Sequence, residues 1–436
     1  MNTLNATYRP HASRLQAQIG QIDARRSMFR ASLAAAFFYT LLLPEQFNFT
    51  IAGVFLSPFR LFLLGASLYL LAGAPQRNLR FTWSDLFIVL GMAWIFLASF
   101  MSSGSISTSL IMGGSHTVDI GLSYFLARAT IQTPSDLRRF LVMVAPGFAF
   151  IGAIVVLEAV THTLILQRLV GTVLGVPFPQ TMVVRMGLMR GFGSFPHPIL
   201  AGICLASFLP IYMLSGLRGW PKWVGTVATF GGLFTMSSAA MLGLVVGGLL
   251  SAYDWVSERI GNLNWRIFLF FSAILYAVVE LGSKSGFYSL LIRYASLNQS
   301  SAYNRVLIWT YGTENISRNP WFGIGYADWD RPDWMHSGSF DHFWLITALR
   351  FGIPETFFLL GATLIGIVMI ALKSRHLPSH DARLLRGVAI SVAVFALGVN
   401  SVSLWMAALA WFFMLLGLTV SLGSVPTAGQ ARTQRR

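Results

Sequence analysis

Long apolar runs separated by short basic or polar stretches dominate this chain, and they predict membrane-spanning helices rather than the half-polar faces of a soluble fold. The pattern predicts about 12 spans, at 31–44, 55–73, 83–101, 115–131, 139–158, 196–215, 222–236, 239–253, 267–283, 343–372, 386–402 and 404–423. Runs 222–236 and 239–253 follow each other with almost no connector. They read as a broken or re-entrant hairpin, which lipid tolerates only where protein or water satisfies the backbone. The expected architecture is therefore an all-α integral membrane protein, with helices over 31–283 and again over 342–423. Residues 1–30 read as a polar, basic cytoplasmic arm without the apolar stretch and cleavage site of a signal peptide. Residues 424–436 read as a disordered cytoplasmic tail rich in small and polar residues.

Composition agrees: 55% of residues are hydrophobic and 11% charged, and the mean hydropathy is +0.64, against about 25% charged in a soluble domain. The net charge of +15 follows the positive-inside pattern. Most basic residues, among them Arg25, Arg26, Arg30, Arg128, Arg138, Arg139, Arg259, Arg266, Lys373, Arg375, Arg383 and Arg386, fall beside alternate span ends once both termini are placed in the cytoplasm. The charge is thus a topology signal and a match to anionic lipid headgroups, and nothing in it points to nucleic acid. The single cysteine, Cys204, lies inside an apolar run, which excludes an intrachain disulfide and reads as packing.

Two connectors on the opposite, translocated side, about 159–195 and about 284–341, exceed the roughly 12–15 residues of a plain loop and predict function. The first carries Arg168, Arg185 and Arg190. The second carries Lys284, Arg293, Arg305, Arg318 and Arg331 with Trp309, Trp321, Trp329, Trp334, Tyr303, Tyr311 and Tyr326. Cations there run against the orientation signal, so something other than topology keeps them. An anionic ligand is the simplest candidate, since guanidinium donates in fork geometry to phosphate oxygens. The alternative is that each arginine caps a helix or pairs with Glu158, Glu314, Asp328, Asp330, Asp333 or Asp341. The aromatic residues suit either an interfacial belt or stacking on sugar rings. Together with arginines at a bilayer surface, they point to a lipid-linked sugar diphosphate.

Three features carry a resemblance to a known family. They are Arg305-x-x-x-Trp309, the turn Asn319-Pro320-Trp321-Phe322-Gly323-Ile324-Gly325, and Asp341-His342 with Gly352 ten residues after the histidine. With the earlier Arg190-Gly191-Phe192-Gly193 and Pro196-His197-Pro198-Ile199-Leu200-Ala201-Gly202 they resemble the O-antigen ligase and O-antigen or exopolysaccharide polymerase family over roughly 31–420. The resemblance implies a multi-span (GT-C-like) fold with a large periplasmic loop, 284–341. It also implies a metal-independent, inverting glycosyltransferase of the bacterial inner membrane that needs no cofactor. The donor would be a polyprenyl diphosphate-linked oligosaccharide, and the acceptor a lipid-linked repeat unit or a lipid A-core sugar. Carried over, Arg190 and Arg305 would hold diphosphate, with Arg185 and Arg293 beside them, and Trp309, Trp321 and Trp344 would contact substrate. His342 would activate the acceptor, with Asp341 as its neighbour in acid–base work.

The chain departs from the family pattern at three places: Phe343 follows the histidine, Glu355 stands three residues after Gly352, and Met236-Ser237-Ser238-Ala239-Ala240 lacks an arginine after the serine. His336 is therefore a second candidate for the functional histidine, while His197, between prolines, reads as a turn residue. No Walker loop, His-Glu-x-x-His or cysteine pair is present. Asp328, Asp330 and Asp333 read as a solvated acidic face rather than a cation site. Transport is the rival class, with Asp119, Glu158 and Glu280 as its candidate buried acids. No inverted repeat accompanies them.

Overall fold

The computed structural model describes residues 8–51, 54–73, 80–177, 183–260, 263–283, 299–335 and 337–424, with side chains from residue 24 onward except at 54, 72 and 73. Arg293 and His336 lie outside the described residues. The chain is mostly helical, and seven of the described helices are long and apolar enough to cross a membrane. Two β-hairpins, Phe49–Ile51 with Val54–Leu56 and Val184–Arg185 with Leu188–Met189, are the described strands.

The first helix, α1 (Tyr8–Leu41), runs without a break from the basic arm into the first apolar segment. It is followed by α2 (Pro58–Gly73), α3 (Trp83–Ser103), α4 (Ile106–Thr117), α5 (Ser123–Thr130) and α6 (Pro134–Thr161). Thr82 with Asp85 and Thr133 with Asp136 form reciprocal capping boxes that start α3 and α6. Between α4 and α5 a π-helical turn, Val118–Leu122, presents Asp119 to Arg60, which grips it with two bonds of 2.7 Å. Arg128 pairs with Asp85 at 2.9 Å, and the Tyr124 hydroxyl donates to the same carboxylate. These charges lie inside the bundle because each is matched there.

After α7 (Ile165–Leu174) come α8 (Pro198–Ser207), α9 (Leu209–Leu214), α10 (Trp220–Thr229), α11 (Ser238–Ser257) and α12 (Trp265–Gly282). The expected span 196–215 breaks at Phe208, where Pro210 can supply no amide to continue the helix. The expected hairpin 222–253 is uneven. Its first limb is the ten-residue α10 with a 3-10 turn, Phe230–Thr235, and Met236 sits at φ 45° before the full-length α11. The 3-10 turn crosses α6 at bare backbone: a Cβ on Gly231 would lie 2.9 Å from Gly152.

The remaining helices are α13 (Gln299–Arg318), α14 (Phe343–Phe351), α15 (Ile353–Ser374), α16 (Ser379–Gly398) and α17 (Met406–Ser424). The pattern 343–372 predicts one span, whereas the chain forms α14 and α15 with a break at Gly352 (φ 86°, ψ 167°). The Asn319–Gly325 turn causes it. Ile324 and Gly325 donate to the carbonyls of Leu349 and Arg350, ending α14, and the amide of Ile353 donates to Pro320. α17 is apolar all round and occupies the centre, where Trp411 packs among Phe38, Phe148 and Phe208.

Side-chain ties define the two ends of the bundle. At one end Arg128 meets Asp85, Arg138 meets Asp381, and Arg386 meets Asp254, joining the starts of α3, α6 and α16 to the ends of α5 and α11. At the other end lie the start of α11, the end of α16 and the loops after α6. The 20 residues of α11 separate the two by about 30 Å, the thickness of a bilayer core.

Candidate functional site

The second end holds a polar cavity of about 250 Å³ lined by Arg185, Arg190, His197, Ile199, Ser237, Ser238, Ser300, Ser301, Asn304, Arg305 and Asp341. Five separate segments build it, and each is placed by a local device.

The loop carrying Arg190 is pinned from below by Glu158, whose carboxylate accepts the amides of Ile165 (2.9 Å), Phe192 (2.8 Å) and Gly193 (2.8 Å). Gly191 packs so tightly that a Cβ would lie 2.4 Å from the Val155 carbonyl, which brings the neighbouring Arg190 onto the bundle. From above, the carbonyls left open at the end of the 3-10 turn hold the arginines: Arg190 Nε donates to Thr235 (3.1 Å) and Arg185 Nη1 to Met236 (3.2 Å). His197 N-caps α8 and Ser237 precedes α11, so two helix N-termini face the cavity and add positive partial charge. Helical spacing on α13 puts Ser301, Asn304 and Arg305 on one side, and Arg305 Nη2 donates to the Ser401 carbonyl at 3.3 Å.

Arg190 is 5% exposed, and among the described residues its Nη2 has no hydrogen-bond partner and the side chain makes no ion pair. Burial, reinforced by Arg185 and Arg305 and partly offset by Asp341, lowers its pKa to about 10. It stays protonated at neutral pH. A buried cation without an ion-pair partner is costly, and an anion in the cavity would offset that cost. Asp341 is the one carboxylate in the lining among the described residues, and it accepts from the Ser339 hydroxyl at 2.6 Å.

His342, the leading histidine of the motif, is placed differently. It is buried, lies with its ring centroid 5.6 Å from Trp309, and caps α14 by accepting the Leu345 amide on Nδ1 at 3.2 Å. Burial lowers its pKa to about 4. With Nδ1 accepting, the neutral ring carries its proton on Nε2, so the basic nitrogen is already used. In this arrangement Nδ1 serves as the cap of α14. A prediction follows: His342→Asn, which can still cap, retains both thermal stability and most turnover, while His342→Ala loses the two together. Loss of turnover at unchanged melting temperature in both variants would contradict the capping role.

The motif tryptophans diverge. Trp344 is buried against Phe343 and Phe412, with its Nε1 bonded to the Ala396 carbonyl at 3.3 Å. Trp321 is exposed on the Asn319–Gly325 turn, and Trp309 is partly exposed beside His342. None of the three lines the cavity. The Asn319–Gly325 turn is a clamp on the α14–α15 break rather than a lining element. The residues that sequence reasoning missed are Ser237, Ser238, Ser300, Ser301 and Asn304, and His197, read as a turn residue, lines the wall as well as capping α8. A polar run one helical turn before Arg305 was the available signal for the α13 residues.

Two of the three acids singled out for transport are engaged structurally: Asp119 with Arg60, and Glu158 with the three loop amides; the third, Glu280, lies on α12. Asp328 pairs with Arg331 and Asp330 with Arg318, each at 2.6 Å.

No curated protein matches the chain. Residues 224–368, from α10 to most of α15 and including Ser237, Ser238, Arg305 and Asp341, match the Wzy_C family model, described as O-antigen ligase, and this match supports the O-antigen ligase and polymerase family for the chain.

Proposed function

We propose that this chain transfers a glycan from a polyprenyl diphosphate carrier to an acceptor sugar hydroxyl in surface-polysaccharide assembly, with the arginine cavity as its donor site. The observation that carries the reading is Arg190, a buried guanidinium with an open donor, facing a cavity shared with Arg185 and Arg305. The family match gives that anion site a context, because lipid-linked glycans are the substrates of such enzymes. The basic end of α11 and the basic start of α16 lie a bilayer thickness away, and this supports reading the cavity as periplasmic, in the inner membrane, with both termini in the cytoplasm.

The chemistry is a single displacement. The acceptor oxygen attacks the anomeric carbon while its proton passes to the Asp341 carboxylate. The bond from the anomeric carbon to the diphosphate oxygen breaks, and its electron pair leaves on the diphosphate, where Arg190 and Arg305 offset the charge. Attack opposite the leaving group inverts the anomeric centre. Guanidinium groups supply the charge that a divalent ion supplies elsewhere, so the reaction is read as metal-independent, and EDTA is expected to leave the activity of the purified enzyme unchanged.

Asp341→Asn is expected to lower kcat by about 100-fold or more, with donor affinity unchanged or tighter because a negative charge beside the diphosphate is removed. Separate measurement of donor Kd and single-turnover rate checks this, and weakened donor binding would contradict it. The reading as a whole is tested by gel analysis of surface glycans from a deletion strain carrying wild type or Arg305→Ala. Single repeat units accumulating in the variant would identify a polymerase, and finished polymer held on its carrier a ligase. An unchanged glycan profile would remove the function.

A further inference from the structure

At the end of the bundle away from the arginine cavity, α12 stands off its neighbours. It buries none of its residues in the protein, and its first turn is tied to the end of α11. Trp265 Nε1 donates to Asp254 at 3.1 Å, and the rings of Trp265 and Phe268 pack on Tyr253. Beyond that anchor, a cavity of about 610 Å³ separates α12 from α11, α15 and α16. Its walls are Leu250, Phe268, Leu269, Ile367, Ala371 and Ile390, and the arginines at its mouth are Arg266, Arg375 and Arg386.

The three arginines are not equivalent. Arg386 is held by Asp254 and Glu258 and completes the scaffold. Arg266 and Arg375 are exposed, and among the described residues neither makes an ion pair. An apolar slot of this size at membrane depth fills with hydrocarbon, and two open guanidiniums at its mouth match a phosphate. Basic pockets between spans on the basic side of a membrane protein bind anionic lipid headgroups for this reason.

We infer that the slot between α12 and α15–α16 is a binding site for one anionic glycerophospholipid, its acyl chains against Leu250, Phe268 and Ile390 and its phosphate on Arg266 and Arg375. The site is distinct from the donor cavity, since the 20 residues of α11 run from one to the other. The lipid would brace α12, the helix that leads toward the Arg305 segment, against the bundle.

The test is native mass spectrometry of the purified full-length protein equilibrated with equal amounts of phosphatidylglycerol and phosphatidylcholine. Wild type is expected to retain one phosphatidylglycerol with a preference of about tenfold. The double variant R266Q/R375Q, altered only at exposed positions and checked for an unchanged melting temperature in detergent, is expected to lose the preference. Ala393→Trp, which fills the slot, is expected to lose retention of both lipids. Equal retention of the two lipids by wild type, or an intact preference in R266Q/R375Q, would overturn the assignment.

Discussion

Replacing Arg190 with alanine is expected to lower glycan transfer by about 100- to 1,000-fold, the range seen when one preorganised donor to a developing negative charge is removed. Its Nε is committed to the Thr235 carbonyl and its Nη2 is left for a ligand, so the side chain arrives already aimed and needs no reorganisation when the donor binds. Lysine cannot keep both bonds, because one ammonium replaces a fork whose two sides point in different directions. Arg190→Lys should therefore recover less than a tenth of the lost rate. Transfer measured with purified variants of matched melting temperature reads this out. A lysine variant near wild-type activity would mean that bulk charge matters and the fork does not.

The second large effect is expected at Gly352, which does not line the arginine cavity. Its φ of 86° with ψ of 167° is a region open essentially to glycine, and a Cβ there would lie 1.8 Å from the Trp321 carbonyl oxygen. Gly352→Ala must unseat the Asn319–Gly325 turn from the end of α14, at a cost of about 3 kcal/mol or more. Because α14 begins with the His342 cap and Asp341 immediately precedes it, the same change should move the cavity's carboxylate. The expected result is a marked fall in melting temperature together with loss of transfer. Pro354→Ala, which leaves the Gly352 backbone free to hold its angle, serves as the milder comparison. Normal stability of Gly352→Ala would show that the clamp is not what sets the break.

How much of this was written plainly in the chain depends on the kind of signal. Spans such as α3, α6, α11 and α17 follow directly from apolar runs. The breaks at Phe208 and Gly352 do not, because α8–α9 is apolar through the interruption and marked only by Pro210, while in α14–α15 Arg350, the Gly352-Ile353-Pro354 step and Glu355 interrupt a run that is otherwise long and apolar enough to read as one span. Arg185, Arg190, Arg305 and Asp341 stood out as charges on the side of the membrane that disfavours basic residues, and the fold brings them to one cavity. Ser237, Ser238, Ser300, Ser301 and Asn304 carry no comparable mark, since small polar residues are common at helix starts for capping alone. Motif order drew His342 and Trp344 toward chemistry, and the structure adds that His342 caps α14 and that Trp344 packs on Phe412. A residue next to a site in sequence can serve it by holding a helix still.

The central claim is that the arginine cavity grips a diphosphate. Binding of undecaprenyl diphosphate and undecaprenyl monophosphate to the purified protein in detergent, for wild type and Arg190→Ala, tests it most directly. The account predicts that wild type binds the diphosphate markedly more tightly than the monophosphate and that Arg190→Ala binds the two equally weakly. Equal affinity of wild type for both lipids, or a diphosphate preference that survives in Arg190→Ala, would contradict it.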